Sequence, residues 1–215
     1  MRTLREEAYG RITEKLKSGA LKPGSVVSQR ELVDRTGSTL AAVREAVPRL
    51  EAEGLLKPLR NRGLMVPTVD IRFVHDACGL RRVLELEAVR EAPDRIERMT
   101  IESWEREHLK YLKEFEKSAS PDIVERVQSV DWDLHQALVD SLGNTLISGV
   151  YRVNAIKIRM ANLARLRTTA RNVVRILNEH LSFLTALKAG DVDTACEAMD
   201  LHLRNAMTLA LGGDV

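Results

Sequence analysis

The sequence contains few aromatic residues and few cysteines. Aromatic side chains make up 4% of the 215 residues, whereas charged side chains make up 30%. This balance, with abundant Leu, Ala, Val, Glu and Arg, favours an all-α protein. The two cysteines, Cys78 and Cys196, lie far apart in helical patterns, so we expect reduced thiols rather than a disulfide.

Long apolar runs are also missing. No stretch approaches the roughly 20 apolar residues that a membrane-spanning helix needs, and residues 1–7 lack the apolar segment of a signal peptide. The sequence has no CxxC pair, no Walker A loop and no GxGxxG motif, which argues against those metal-thiolate and nucleotide sites. These absences predict a cytoplasmic protein without a membrane partner.

The charge is distributed unevenly along the chain. Residues 1–66 hold 13 lysines and arginines and 8 acidic residues, whereas the remainder holds 20 and 23. A basic N-terminal module on an acidic body favours contact with phosphates at one end only. Chance asymmetry in a helical protein is the alternative.

The segment from residue 28 to residue 66 has the pattern of a winged helix-turn-helix. Ser28 and Glu31 form a capping box at the start of one short helix, and Gly37 favours a tight turn at its end. The inner face of the next helix carries Val43, Val47 and Leu50. Residues 55–59 and 64–66 then predict a β-hairpin around the basic tip 60–63, and this order of elements is typical of DNA-binding domains.

Residues 4–67 resemble the DNA-binding domain of the GntR family of bacterial transcription regulators. The matching residues are Leu21, Pro23, Gly24, Arg30-Glu31-Leu32, Val43-Arg44-Glu45-Ala46, Arg49-Leu50-Glu51, Glu53-Gly54-Leu55 and Arg62-Gly63. The resemblance implies binding to double-stranded operator DNA. Its candidate contact residues here are Arg30, Thr39, Arg44, Arg49, Asn61, Arg62 and Gly63.

The second helix departs from the family pattern at its start. The family usually has Ser-Arg-Thr-Pro where this chain has Thr39-Leu40-Ala41-Ala42, so two expected contact residues are absent. Pro48 is unusual in a helix interior because proline removes a backbone hydrogen bond. It predicts a kink in this helix or an early end to its regular part.

The rest of the chain has helical periodicity throughout. We predict six helices, over about 71–91, 94–118, 121–142, 144–168, 171–189 and 191–211, with Pro93 separating the first two. The predicted fold is mostly α: a winged helix-turn-helix domain over 1–67, a linker over 68–70 and an all-α helical bundle over 71–215.

Polar residues on apolar helix faces predict a metal site in this bundle. Asp131 and His135 are four residues apart beside one apolar stripe, and His180 and His202 lie on the stripes of two later helices. Three imidazoles and one carboxylate form a suitable ligand set for a divalent metal. The alternative is a set of ordinary buried polar residues hydrogen-bonded within the core.

The bundle resembles the FCD effector-binding domain of the FadR subfamily of GntR regulators. The matching residues are Arg81, Leu84-Glu85, Asp131, His135, Gly143-Asn144, Glu179-His180 and His202. The resemblance implies zinc or nickel at the Asp and His residues, with a small carboxylate effector over the metal. The six-helix count favours the VanR-type branch.

Further residues are assigned around this predicted site. Candidate effector-binding residues are Arg81, Asn154 and Arg159, where Arg81 could bind a carboxylate through its guanidinium group. His75 and His108 match no family position, and we expect both at the surface.

The resulting hypothesis is a homodimeric transcription repressor, not an enzyme, whose DNA binding responds to a small organic or sugar acid. A metal-dependent hydrolase is one alternative, with Glu179 as its base, although adjacent residues on a helix do not face each other. A regulator with a purely structural metal is the other.

Overall fold

The computed structural model describes residues 3–165 and 170–215. The chain forms two compact units, one of Met1–Val74 with Ala155–Arg165 and the other of His75–Asn154 with Leu166–Val215. The domain limits predicted from the sequence, 1–67 and 71–215, stay a prediction. None of the helices in the described ranges has both the length and the apolar character that a bilayer crossing requires.

The first unit contains three helices and a small sheet ahead of residue 71. Their order is α1 (Leu4–Lys17), β1 (Val26–Val27), α2 (Gln29–Thr36), α3 (Leu40–Ala52), β2 (Lys57–Leu59) and β3 (Gly63–Met65). The core between the helices includes Ala8, Ala42 and Ala46, with Tyr9 packed against them. These small side chains allow α1 and α3 to approach closely.

The capping signals of α2 act as the sequence predicts. Ser28 Oγ accepts a hydrogen bond from the Glu31 N–H at 3.1 Å, and the Glu31 carboxylate accepts one from the Ser28 N–H at 2.7 Å. At the other end, Gly37 has a φ of 63°, a conformation that glycine adopts without steric cost. The two ends fix the length of α2 and the turn into α3.

Of the two expectations for Pro48, a kink in α3 or an early end to its regular part, the early end is wrong. This helix continues through Pro48 to Ala52, and Pro48 lies on its exposed side. Because water can solvate the carbonyl group of Arg44 on that side, the missing backbone hydrogen bond leaves no buried polar group.

The wing is a three-stranded antiparallel sheet in the order β1-β3-β2. The predicted hairpin corresponds to β2 and β3, with Pro58 opposite Leu64. The sequence pattern does not predict β1, which has only two residues and pairs Val27 with Leu64. The turn between β2 and β3 contains Asn61, whose φ of 61° is the one positive value outside glycine in the described residues.

In the part of the chain that the structure describes, six helices follow the wing, as predicted. They are α4 (Ile71–Arg95), α5 (Arg98–Lys117), α6 (Pro121–Asp140), α7 (Thr145–Arg165), α8 (Ala170–Ala189) and α9 (Val192–Ala210). The expected break at Pro93 is wrong, because α4 runs through this exposed proline and ends two residues later. Residues 166–168, predicted to be the end of α7, lie outside the described residues.

Apolar packing in the bundle core and side-chain caps at helix starts position the helices of the bundle. Ile123 and Val127 of α6 pack against Val173 and Leu177 of α8. The start of α6 is capped by Ser120, whose hydroxyl accepts from the Ile123 N–H at 3.4 Å, and the start of α9 is capped by Asp191. The caps and the packing set the rotation of each helix, and this rotation decides which side chains point inward.

We predict that Gly63→Ala destabilises the wing. Gly63 has a φ of 96°, and a Cβ atom there would lie 2.8 Å from the backbone oxygen of Val27. We expect a loss of about 1–3 kcal/mol, the usual size of backbone strain, measured by thermal or urea unfolding followed by circular dichroism. Gly10→Ala is the control, because nothing lies within 4 Å of its added Cβ in α1. Equal unfolding midpoints for the two variants would contradict the prediction.

Candidate metal centre

Three buried histidines and one aspartate meet inside the second unit. They are Asp131, His135, His180 and His202, and their candidate ligand atoms all lie within 4.8 Å of one another. Asp131 and His135 come from α6, His180 from α8 and His202 from α9. The three histidines are no more than 2% exposed. The structure therefore brings together the four residues that the sequence singled out.

The inner atoms of this cluster are imidazole nitrogens and one carboxylate oxygen. His180 Nε2 lies 3.3 Å from Asp131 Oδ1 and 3.3 Å from His202 Nε2. His135 Nε2 lies 3.5 Å from the same Asp131 oxygen. All three histidines thus direct Nε2 towards one shared space.

Glu179 holds the outer nitrogen of His202. His202 Nδ1 lies 2.8 Å from Glu179 Oε2, across the contact between α9 and α8. Arg175 donates to the same carboxylate at 2.5 Å, and Asn205 donates to its other oxygen at 2.7 Å. Because a carboxylate only accepts, the proton of His202 belongs on Nδ1, and Nε2 keeps its lone pair.

Glu85 occupies the corresponding place behind His135. Its Oε2 lies 2.7 Å from His135 Nδ1, while its Oε1 accepts from Arg81 Nε at 2.7 Å and from the Tyr151 hydroxyl at 2.5 Å. The Glu85–His135 contact is close but poorly aligned. Neither nitrogen of His135 makes a hydrogen bond with good geometry among the described residues.

His108 supports His180, and our expectation that His108 lies at the surface is wrong. It is 1% exposed, and its Nε2 lies 3.0 Å from His180 Nδ1. Its Nδ1 lies 2.7 Å from the carbonyl oxygen of Trp104, one turn earlier in α5. Sequence analysis missed this residue because α5 is densely charged. The available signal was the spacing of seven residues from the buried Ile101.

Burial and charge act in opposite directions on the carboxylates. Burial alone would raise the pKa of Glu85, but Arg81 and His135 beside it bring that pKa down to about 2. Burial also opposes ionisation of Asp131, yet the imidazole of His135 beside it and the charge of the nearby Arg81 leave its pKa below the usual value. Both groups are therefore anionic at neutral pH.

The same forces keep most of the imidazoles neutral. Burial, reinforced by His202 and His135, holds the pKa of His180 well below its ordinary value. Burial also lowers the pKa of His202 and of His108. His135 is the exception: burial and Arg81 oppose its protonation, but Glu85 and Asp131 raise its pKa. Neutral imidazoles are the form that binds metals.

The cluster consequently fits a divalent cation. Nε2 of His180 and Nε2 of His202 face each other at 3.3 Å, and the buried Nε2 of His135 has no aligned partner among the described residues. A cation in the space between these nitrogens would accept a lone pair from each of them. Three imidazoles and one carboxylate suit zinc and similar ions.

The three candidate effector residues lie in different surroundings. Arg81 is 6% exposed and its Nη2 is buried without a hydrogen bond among the described residues. Asn154 is buried too, and its amide donates to the Ala77 carbonyl at 2.9 Å. Arg159 lies on the part of α7 that belongs to the first unit, so its role as an effector contact stays a prediction. His75 is exposed, as predicted.

The candidate DNA contacts lie on exposed parts of the first unit. Arg30, Arg44, Asn61 and Arg62 have exposed side chains. Thr39 is also exposed, but its hydroxyl caps α3 by accepting from the Ala42 N–H at 3.2 Å.

Arg49 and Gly63 have structural surroundings of their own. Arg49 stacks on Tyr9 at 3.9 Å from the ring centroid and pairs with Glu53 at 2.9 Å. At Gly63, the left-handed φ and the close approach of β1 require a residue without a side chain. The DNA contacts predicted from the sequence therefore include both accessible side chains and residues that stabilise the fold.

The winged helix-turn-helix and the helical bundle together define a DNA-binding transcription regulator with a separate helical domain. Residues 4–66 match the gntR family of bacterial regulatory proteins, and residues 76–205 match the FCD domain. The chain belongs to the GntR family of transcription regulators that carry an FCD domain. These matches confirm the family and the mostly helical fold predicted from the sequence.

Known proteins of similar sequence and structure agree with this family. The uncharacterized regulator BphR of Paraburkholderia xenovorans is 22% identical over 97% of this chain and 86% of its own length. The structure of McbR/YncC from E. coli matches 98% of both chains with a TM-score of 0.81 at 20% identity. A structure titled the metal-free FCD domain of TM0439 matches 66% of this chain and 94% of its own, with a TM-score of 0.53. The family and its relatives are regulators rather than enzymes, which agrees with the prediction.

We predict that Glu85→Gln strongly destabilises the second unit. The substitution leaves the guanidinium of Arg81 buried without its ion-pair partner, and removing one member of a buried pair costs about 3–5 kcal/mol. Because the pKa of Glu85 is depressed to about 2, its stabilisation is present above pH 4.5 and is lost as the pH falls towards 2. The variant should lack this part of the pH dependence, measured by thermal unfolding.

Glu87→Gln is the matched control on the same helix. Glu87 pairs with Arg90 at 3.2 Å, but both side chains are more than half exposed. Exposed pairs of this kind contribute about 0–1 kcal/mol. Similar losses in the two variants would refute the role assigned to Glu85.

Proposed function

We propose that this regulator represses transcription by binding operator DNA as a homodimer, and that a small carboxylate effector at a divalent metal modulates this binding. The observation that carries the proposal is the convergence of three Nε2 atoms and one carboxylate oxygen on a buried space. Asp131, His135, His180 and His202 would hold the metal. Zinc and nickel are the ions that the FCD resemblance implies.

The supports behind the ligands favour a metal site over an ordinary polar core. An ordinary buried histidine satisfies both of its nitrogens with protein partners. Here the outer nitrogens of His202 and His180 have such partners, while the inner nitrogens, among the described residues, face one another and Asp131. Metal-binding histidines have this pattern, in which the outer N–H fixes the tautomer and the inner lone pair binds the ion.

Arg81 is the best-supported effector contact. Its Nε is used by Glu85, but its Nη2 is buried and has no hydrogen bond among the described residues. Its charge also acts on Asp131, which indicates that it lies near the cluster. If the metal has an open coordination position, a carboxylate effector would bind both the metal ion and the guanidinium group of Arg81.

Operator binding is the activity expected of the first unit. Residues 1–66 carry the excess of basic residues, and the second helix of the motif is the one that enters a major groove. Arg44 lies on the exposed face of this helix, and Asn61 and Arg62 form the tip of the wing. Arg44 would contact bases or phosphates, and the wing would contact the backbone or the minor groove.

A homodimer would give the protein two recognition helices for a near-palindromic operator. Within the second unit, apolar side chains are exposed on α4 and at the start of α7. They are Leu80 at 38%, Val83 at 64%, Leu146 at 79% and Val150 at 49% exposed. Exposed apolar side chains gathered on neighbouring helices are typical of protein contacts, which supports dimerisation through this face.

We expect Arg44→Ala to weaken operator binding and Arg49→Ala to leave it nearly unchanged. Among the described residues no ion pair holds Arg44, whereas Arg49 is held by Glu53 and Tyr9. Losing a base contact costs about 1–3 kcal/mol of binding free energy. Losing a phosphate contact reduces the slope of the logarithm of the binding constant against the logarithm of the salt concentration by about one. Fluorescence anisotropy with operator DNA at several salt concentrations measures both. Equal losses for the two variants would contradict this interface.

The metal and the effector are tested together with His202→Ala. We expect the wild-type protein to bind one zinc or nickel ion per chain and to bind operator DNA more weakly when the effector acid is added. His202→Ala should lose the metal and this response, while His75→Ala, which changes an exposed histidine, should keep both. Titration calorimetry with the metal, and anisotropy with a panel of small carboxylates, provide the measurements.

Three other outcomes would contradict parts of the proposal. Absence of metal binding in the wild type would reject the metal site. A lower melting temperature of His202→Ala with an unchanged acid response would identify a structural metal instead. Because coupling between two ligands is reciprocal, identical effector affinity with and without operator DNA would reject the regulation.

A further inference from the structure

His108 is a buried titratable residue that the ligand set does not include. It lies on α5, which supplies none of the four candidate ligands, and its side chain is 1% exposed. Its ring makes an edge contact with the ring of His180, at 5.1 Å between centroids. His180 itself is fully buried. The question is why a second imidazole lies behind this ligand.

The carbonyl group of Trp104 fixes the direction of the hydrogen bonds that run from Trp104 through His108 to His180. The carbonyl oxygen of Trp104 can only accept, so His108 Nδ1, at 2.7 Å, carries a proton. The neutral ring then has an unprotonated Nε2, which accepts from His180 Nδ1–H at 3.0 Å. His180 Nε2 is left with its lone pair, directed at Asp131 and His202.

We propose that His108 is a positioning residue, which holds His180 in the tautomer and orientation that bind the metal. The inference rests on the metal site of the proposed function and adds a residue to it. His108 does not contact the metal in this assignment. It acts through the hydrogen bond to His180 and, by way of Trp104, ties the ligand on α8 to the backbone of α5.

The three ligand histidines consequently differ in the chemical group that contacts their outer nitrogen, Nδ1. Carboxylates lie behind His135 and His202, at 2.7 and 2.8 Å. The support behind His180 is a neutral imidazole, which accepts a hydrogen bond without adding negative charge. A carboxylate raises the basicity of a ligand more than a neutral acceptor does. His180 is therefore the ligand whose binding depends most on geometry and least on charge.

The experiment compares two substitutions of His108 in the full-length protein. His108→Gln keeps an acceptor for His180 and a donor for Trp104 on one amide group. His108→Leu removes both and leaves the His180 N–H buried without a partner. Zinc dissociation constants are measured by competition with a chromogenic chelator, and melting temperatures are measured without metal.

Loss of a supporting hydrogen bond typically weakens metal binding by about 10–100-fold. We expect a loss of this size for His108→Leu and a change of only a few-fold for His108→Gln. Phe183→Leu is the packing control, because the Phe183 ring lies 5.8 Å from the ring of His180, is fully buried and makes no hydrogen bond to it. This control should lower the melting temperature while retaining zinc affinity.

A second measurement does not depend on the variants folding. Nitrogen-15 chemical shifts of the histidine side chains in the metal-free wild type report which ring nitrogen carries the proton. We expect His180 to be protonated at Nδ1 and His108 also at Nδ1. A proton on His180 Nε2 would overturn the proposal, as would equal zinc affinity in His108→Leu and the wild type. If the wild type binds no zinc, the metal site fails, whereas the tautomer assignment is still decided by the shifts.

Discussion

The organisation of the helical unit depends on the outward polar contacts of its buried histidines. His202 donates to Glu179, His135 contacts Glu85, and His180 contacts His108. Each outer contact turns the other nitrogen of the ring inward, towards Asp131. Glu179 and Glu85 are in turn held by Arg175 and Arg81. The inward-facing nitrogens therefore result from a layer of charged and polar groups that comes from three helices, α4, α5 and α8.

The sequence predicts the ligands more completely than it predicts their supports. Asp131, His135, His180 and His202 are recognisable because they interrupt apolar stripes, and helical spacing fixes the face on which they lie. No such contrast marks His108, which is surrounded by charged residues along α5. Its partner is 72 positions away in the chain, so the contact depends on helix packing that periodicity does not encode.

Proline and strand length explain the other differences. Pro48 and Pro93 are expected to interrupt helices, yet both helices continue past these exposed prolines. Beside Pro48, the unpaired carbonyl group belongs to the exposed Arg44, where water can solvate it. The sequence does not predict strand β1 because two residues are too few to form an alternating pattern. Capping residues were more informative: Ser28, Ser120 and Asp191 mark helix starts because their side chains bond to nearby backbone N–H groups.

The start of α3 has a consequence for how the protein can recognise DNA. Thr39 uses its hydroxyl within the helix, and the next two residues, Leu40 and Ala41, carry only hydrocarbon side chains on an exposed turn. Such side chains can touch a thymine methyl group but cannot distinguish the polar edges of guanine and cytosine. Discrimination among operators would then fall to residues further along the helix and to the shape of the duplex, with tolerance for base changes opposite the first turn.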